Sequence, residues 1–414
     1  MESPKNVIDS GLLPNPIADS VMVGQCSDPQ QLIYLSLGET WEAPAKGLLD
    51  ALQHVPDYSH GYTLSPYGLP ALRRELLAYI IRTHQLPPPE FYDVAVSQSG
   101  TRGAMSDFAS WINADNSRFR KALVPSPGWD YEGILQPLGF DVRHYTVTKE
   151  TNWQPVPEQI IPHLDCDTLF VINAQHNPTG IQWNEAVLGI LVSSALERNT
   201  AILIDDAYYG VHAPEQPPSN VLKILIEQII FQKSKTKWLA VRTLGKQFKC
   251  NGWGIGAMTA ARETLSAISD VTHRRSYGSG LPLQAAMAAW LNSHESDLYV
   301  AQIRKHYADN RDFVSQYLIK EMGYPEDAII RGNCTSYIRF MVPERFICNA
   351  DEEFYRQLCL QVGVLPGRGS MTSSKAFTDH SGNDIYVRIH LGHQLSVLNE
   401  ALYRMHQVAL DWSE

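Results

Sequence analysis

The feature that most constrains this chain is a repeated alternation of short apolar runs with helix-period segments between Tyr92 and Leu244. Tyr92–Ser97, Lys121–Val124, Asp141–Val147, Thr168–Ile172, Ala201–Ile204 and Trp238–Leu244 have the length and β-branched content of strands. Helical stretches, Gly103–Ile112 among them, separate several of these runs. That order predicts an α/β fold with a mainly parallel sheet covered on both faces. Ligands of such sheets collect at the carboxyl ends of the strands, so the residues just past each run are where function is expected.

The pattern differs on either side. Residues 1–30 are polar and rich in Pro, Gly and Asp, and read as an arm. Leu32–Leu37 reads as a short strand ending at Gly38-Glu39, followed by a helix near Pro44–Leu52 and a turn-rich loop, His60–Gly68. The helix Pro70–Thr83 carries Leu72, Leu76, Leu77 and Ile80 at helical period. Past Leu291 a long helix is predicted from Ser293 to Met322, and a last one over Val397–Asp411. Between them lie strand candidates Thr335–Met341 and Asp384–Ile389, a helix at Asp351–Val362 and a Gly/Ser-rich loop at Gly367–Ser374. The expected organisation is an N-terminal arm with part of a small domain over 1–60, a large domain over 61–295, and a smaller α+β domain over 296–414.

Composition narrows the function classes. Net charge is −10 with no basic run, which argues against a nucleic-acid partner. No apolar run approaches a membrane span, and the N-terminus lacks the basic-then-apolar pattern of a signal peptide. The cysteines have no metal-like spacing, so no metal is expected and thiols in a reducing compartment, the cytoplasm, are the default.

Several motifs fall at the expected strand ends. Lys246 follows the run Trp238–Leu244 and the break at Gly245; a lysine there, partly desolvated, can act as a Schiff-base nucleophile, although a surface lysine is the ordinary alternative. Ser97-Gln-Ser-Gly-Thr-Arg-Gly-Ala104 joins a strand to a helix with small residues that suit a phosphate, or form a plain turn. Trp129 could stack on a flat ring or pack in the core. The rigid turn Asn177-Pro-Thr-Gly180 could aim the Asn177 amide inward. Asp205 ends a strand in a carboxylate, which needs a partner if buried: a protonated pyridine nitrogen, or an Arg or Lys.

Taken in order, Gly38, Tyr62, Ser99-Gly-Thr101, Trp129, Asn177-Pro-Thr-Gly180, Asp205-Asp-Ala-Tyr208, Lys246 and Arg388 resemble the class I/II aminotransferases. These are fold-type-I enzymes that use pyridoxal 5′-phosphate. The resemblance implies that Lys246 carries the cofactor and shuttles the α-proton, and that Asp205 keeps the pyridine nitrogen protonated. It implies that Tyr208 and Asn177 hold the ring hydroxyl, that Trp129 stacks on the ring, and that Ser99, Gly100, Thr101 and Thr243 bind phosphate. Arg388 would clamp the substrate carboxylate, Gly38 would lie at the substrate, and Tyr62 would reach the phosphate of a neighbouring subunit in a homodimer. Lys235 and Lys237 precede the strand, and of Lys246 and Lys249 only Lys246 stands six residues before Gly252-Trp253, as the family pattern requires.

The chain departs from that pattern in two places. The family's phosphate-neutralising arginine is replaced by Gly254, a loss on the order of 1.5–3 kcal/mol. Arg102 is the first candidate to supply the missing cation, with Lys249 or the partner's Arg274 or Arg275 next. Gly245 stands where the family often has serine. These departures suggest a divergent branch and leave the reaction open. The leading expectation is an aminotransferase acting on a free L-amino acid. The alternatives are elimination or cyclisation of the capreomycidine- or enduracididine-forming type, oxidation of a basic, arginine-derived amino acid, or an inactive cofactor-binding regulator. Glu39 and Asp130 could face a cationic substrate side chain, or simply be solvated.

Overall fold

The structure, a computed structural model, describes residues 23–26, 28, 31–115, 121–275, 278, 280–368, 386–408 and 410–412. Most of the predicted arm, the loop from 369 to Ser374 and Asp384 of the last predicted strand lie outside those residues.

The first strand, β1 (Ile33–Leu35), belongs to a small sheet. The alternating block forms β2 (Asp93–Ser97), β3 (Lys121–Ser126), β4 (Asp141–Thr146), β5 (Thr168–Ile172), β6 (Ala201–Asp205), β7 (Trp238–Thr243) and β8 (Gly256–Ala260). These seven make one sheet in the order β2-β8-β7-β6-β5-β3-β4. Pairings from β7 through β4 are parallel, and β8 runs antiparallel to both β7 and β2.

Strand β8 is absent from the sequence reading. Its residues, Gly-Ala-Met-Thr-Ala, have low strand propensity, and they become a strand because both neighbours present a ladder to them. A Cβ on Gly256 would lie 2.6 Å from the Arg242 carbonyl oxygen, so only glycine allows that approach.

Alternate residues of the sheet feed two cores. On β7, Leu239 and Val241 pack with Phe108 and Ile112 of the helix Gly100–Asp115, while Trp238 and Ala240 join Leu72, Leu76 and Trp290 on the other face. The helices Lys46–Gln53 and Pro70–His84 both pack on Leu281–Leu291.

The remaining strands are β9 (Ile329–Ile330), β10 (Tyr337–Met341), β11 (Val364–Arg368) and β12 (Tyr386–His390). With β1 they form a five-stranded sheet in the order β1-β11-β12-β10-β9. Its core joins Ile338, Phe340 and Ile389 to Val314 and Leu318 of the long helix His294–Lys320. Strand β11 also went unread, because Pro366 and Gly367 interrupt it; it holds its place by pairing with β1 and β12. Among the described residues no helix is long and apolar enough to cross a membrane.

Candidate active site

The ends of β2, β3, β5, β6 and β7 open into a cavity of about 540 Å³, closed by the small sheet. Its wall brings together Gly38, Glu39, Thr101, Trp129, Asn177, Asp205, Tyr208, Thr243, Lys246 and Arg388. These residues are separated by up to hundreds of positions in the chain; the crossover topology gathers them, as expected for a parallel sheet.

Lys246 sits in the short helix Gly245–Phe248 immediately after β7. Its Nζ donates to the Gly38 carbonyl at 3.4 Å. Gly245, one of the two departures noted above, has a steric cause. A Cβ there would come within 2.8 Å of both Cα and Oδ1 of Asn251. Asn251 in turn donates to the Gly38 carbonyl at 2.9 Å and to Glu39 Oε2 at 3.0 Å.

Asp205 is buried at the end of β6, 5% exposed. Its Oδ2 accepts from the Tyr131 hydroxyl at 2.7 Å and its Oδ1 from the Ala207 N–H at 3.1 Å. Burial raises its carboxyl above the usual range, and those two hydrogen bonds only partly offset that. Among the described residues no Lys or Arg forms an ion pair with it. Asn173 ties the neighbouring strand ends together, donating to the Asp205 carbonyl at 2.8 Å and accepting from the Asn177 N–H at 2.8 Å. His176 braces the same turn, bonded to Thr179 Oγ1 and the Pro127 carbonyl; burial lowers its pKa to about 3, so it is neutral.

Arg388 lies in β12, 4% exposed. Its Nη1 donates to Asn177 Oδ1 at 3.0 Å and its Nη2 to the Ser36 carbonyl at 3.2 Å, while Nε is buried without a hydrogen-bond partner. Both partners are neutral oxygens. A buried guanidinium with no carboxylate is costly unless a ligand completes it.

Ser99, Gly100, Arg102 and Tyr62 are not on this wall. The Gly100 N–H, expected to be open for a phosphate, is donated to the Gly254 carbonyl at 2.6 Å. Gly254 has φ +62°, a left-handed conformation in which an arginine would be strained. Arg102 turns outward: its guanidinium lies 4.4 Å from the Trp129 ring centroid and pairs with Asp130 at 3.0 Å. Asp130 is thereby engaged and off the wall. Lys249 is tied to Glu42 at 2.5 Å, and Arg275 pairs with Asp107. Tyr62 is 84% exposed and lines a second hollow with Leu64, Pro66 and His273.

The wall also holds Leu37, Trp41, Ala207, Asn251 and Tyr337, which no motif identified. Asn251 and Ala207 lie inside motifs already singled out and could have been found by walking along those turns. Trp41 and Tyr337 carried no signal: Trp41 lies in the loop between β1 and the helix Lys46–Gln53, and Tyr337 opens β10 of the small sheet. The Tyr337 and Tyr208 rings meet edge to face, with centroids 6.0 Å apart. Tyr208 is held well above the usual tyrosine range by burial and by Tyr337. Burial would raise Tyr337 too, but the positive charges of Arg388 and Lys246 oppose it, and Tyr337 lies below the usual value.

The aldehyde cofactor implied by the motif order fits this wall. An amine, a buried carboxylate lacking a cation, a partly exposed tryptophan and a guanidinium lacking a carboxylate all border one space. Gly38 leaves that space open, since a Cβ there would lie 2.8 Å from Lys246 Nζ and 2.9 Å from Tyr337 Oη.

Comparison with known proteins agrees. The profile of the family "Aminotransferase class I and II" matches residues 50–404. The aspartate aminotransferase of Bacillus sp. strain YM-2 is 23% identical over 386 residues, covering 90% of each chain. The glutamate-pyruvate aminotransferase AlaC of Escherichia coli K12 is 25% identical over 357 residues, covering 82% of this chain and 80% of its own. Substrate-bound BacF from Bacillus subtilis shares the fold with a TM-score of 0.82 at 21% identity, covering 100% of this chain and 99% of that one. The family match spans most of the sequence, and the chain is a pyridoxal 5′-phosphate-dependent enzyme belonging to the class I and II aminotransferase family.

Proposed function

We propose that this enzyme is an aminotransferase acting on a free L-amino acid with a positively charged side chain. The observation that carries the reading is the Glu39 carboxylate. Its Oε1 accepts from the Thr40 and Trp41 N–H groups at 2.8 and 2.9 Å, its Oε2 accepts from Asn251, and it borders the cavity with no cation paired to it among the described residues. Arg388 suits a substrate carboxylate in the same space, so the cavity offers one group for each charge of a basic amino acid.

When bound, pyridoxal phosphate supplies an aldehyde and an electron-withdrawing ring that takes up electrons released at the α-carbon. In our assignment Lys246 holds the aldehyde carbon and moves the α-proton. Asp205 keeps a proton on the ring nitrogen, with Tyr131 fixing the carboxylate. Asn177 and Tyr208 hold the ring hydroxyl, and Trp129 covers the ring. Thr101 and Thr243, which border the cavity, would hold the phosphate; Ser99 stands in the same turn, and the Gly100 N–H would have to leave the Gly254 carbonyl to join them. The exposed Tyr62 and Leu64 support a homodimer in which Tyr62 completes a neighbouring site. Cysteines without a paired spacing support a cytoplasmic setting for this reading.

The test is a single-turnover measurement with each amino acid and no keto acid. Arginine, lysine and ornithine are expected to convert the cofactor stoichiometrically to its amine form, faster than aspartate or aromatic amino acids do. A preference for acidic amino acids would defeat the side-chain assignment. Cofactor returned unchanged beside a rearranged or deaminated product would replace transamination by elimination or cyclisation. Glu39→Gln should lower kcat/KM for arginine by about 10- to 100-fold, in line with a charge-assisted bond of about 1.5–3 kcal/mol, and leave alanine unchanged.

Arg102 remains the proposed source of the missing phosphate cation. Its ion pair with Asp130 is half exposed, and such pairs contribute about 0–1 kcal/mol, so turning inward costs little. Arg102→Ala should raise the cofactor dissociation constant at least tenfold, about 1.4 kcal/mol. Equilibrium titration of the folded variant checks this, and an unchanged constant would pass the role to another cation.

A further inference from the structure

The cysteines show no paired spacing along the chain, yet folding brings two of them together. Cys26 follows the helical turn at 23–25, and Cys359 lies in the π-helical segment Leu358–Val362. Their Sγ atoms are 3.3 Å apart, although 333 positions separate the residues. Both are thiols. Cys359 is buried, 1% exposed, and Cys26 is half-buried, so of the two only Cys26 is open to solvent. A buried cysteine ordinarily acts as a small apolar side chain, and Cys359 alone would be read that way. A second sulfur in contact with it, one that solvent reaches, gives the pair a chemistry that packing does not need. A disulfide bond is about 2.05 Å long, so closing it asks for an approach of about 1.2 Å, within reach of a rotamer change.

The pair sits where the N-terminal segment lies on the small domain. Around the thiols, Val23, Leu32 and Tyr34 of that segment pack with Tyr355 and Leu365. Tyr34 of β1 and Leu365 of β11 are register partners, and the Ile33 N–H donates to the Gly363 carbonyl at 2.8 Å. The same segment runs on into the active-site cavity. The Tyr34 ring meets the Trp41 ring with centroids 4.8 Å apart, and Trp41 borders the cavity with Leu37, Gly38 and Glu39. A covalent tie at Cys26 would therefore fasten the stretch of chain that leads into the site.

We propose that Cys26 and Cys359 form a thiol-modification site: a low-molecular-weight disulfide of the glutathione class converts them to an intramolecular disulfide, and a small thiol reverses it. The Cys26 thiolate attacks one sulfur of the small disulfide, whose S–S bond breaks as the first small thiol leaves. The Cys359 sulfur then attacks Cys26 Sγ and expels the second. Two protein thiols lose two electrons, the small disulfide gains them, and the two protons from the protein sulfurs end on the departing thiols. In a reducing compartment the pair rests as thiols and closes when small disulfides accumulate. The inference needs neither the substrate nor the reaction assigned above.

The test uses the full-length holoenzyme, fully reduced and then exposed to oxidised glutathione, and compares wild type, Cys26→Ser and Cys359→Ser. Remaining thiols are alkylated and the peptides mapped by mass spectrometry. Wild type should yield a linked pair of peptides carrying Cys26 and Cys359. Cys359→Ser should stop at a glutathionyl adduct on Cys26, and Cys26→Ser should leave the buried Cys359 a thiol. The exposed Cys166 should take an adduct in all three proteins and so reports that the oxidant acted. Oxidised wild type should melt about 5 °C above its reduced form, because the link restricts the unfolded chain, and neither variant should show that rise. Wild type with Cys166 modified and both Cys26 and Cys359 still thiols overturns the proposal. So does a lasting glutathionyl adduct on wild-type Cys26, or a link mapped to another pair of cysteines. A linked protein that melts no higher than the reduced one overturns the fastening. Should Cys359→Ser fail to fold, the wild-type map and Cys26→Ser decide alone.

Discussion

Lys246→Ala is expected to lower turnover by at least about 10³-fold, because the proposed role makes this side chain both the proton carrier, a function worth about 10²–10⁴-fold by itself, and the nucleophile. The physical basis is placement. Lys246 is the lysine bordering the cavity, held by the Gly38 carbonyl at the end of β7. Lys249, three residues on, is turned away and engaged by Glu42 and the Gly392 carbonyl. The purified protein should be yellow, and borohydride reduction followed by peptide mapping should place the cofactor on Lys246. Label on Lys249 would sink the assignment, whatever the kinetics of the variant.

Asp205→Asn should separate stability from activity. A buried carboxylate without a cation destabilises the cofactor-free protein, as the upward shift of its carboxyl reports. Asparagine keeps an oxygen for the Tyr131 hydroxyl and removes the charge. The cofactor-free variant should therefore melt at the same temperature as wild type or higher, as is common when a strained functional group is neutralised. Turnover should fall about 10²- to 10³-fold, the usual effect of removing one preorganised electrostatic group. Calorimetry and steady-state kinetics on the same preparations check both halves. A variant that loses stability and keeps its activity would remove Asp205 from the proton-holding role.

Glu39 has a different standing. Its carboxylate is fixed by local hydrogen bonds, two of them from its own turn, so its replacement should alter selectivity far more than stability. The kinetic comparison of arginine with alanine reads that selectivity directly.

The sequence by itself determined the parts of this protein that depend on local order. Apolar runs at strand length, with helices between them, specify a parallel sheet, and such a sheet puts the residues after each run at one edge. Asn177, Asp205 and Lys246 were legible for that reason: Asp205 closes its strand, Asn177 and Lys246 follow theirs by a few residues, and the distance is set by the chain. Gly254 was legible as a departure but not as a cause, since its left-handed backbone and its bond to Gly100 appear only when two loops meet.

Tertiary structure alone decided the rest. Strand β8 exists because β7 and β2 leave a gap between them that its weak local propensity could not announce. Tyr131 reaches Asp205 across 74 positions, a contact whose value depends on burial rather than on motif. Arg102 sits inside a legible turn, yet its direction is chosen by Trp129 and Asp130 after folding. Tyr337 comes to the cavity from the small sheet and Trp41 from the loop after β1, where nothing in their neighbours marks them. Spacing along the chain fixes which strand end a residue occupies. Which side chains then share a desolvated space, and so shift one another's protonation, is settled by packing between elements far apart in sequence.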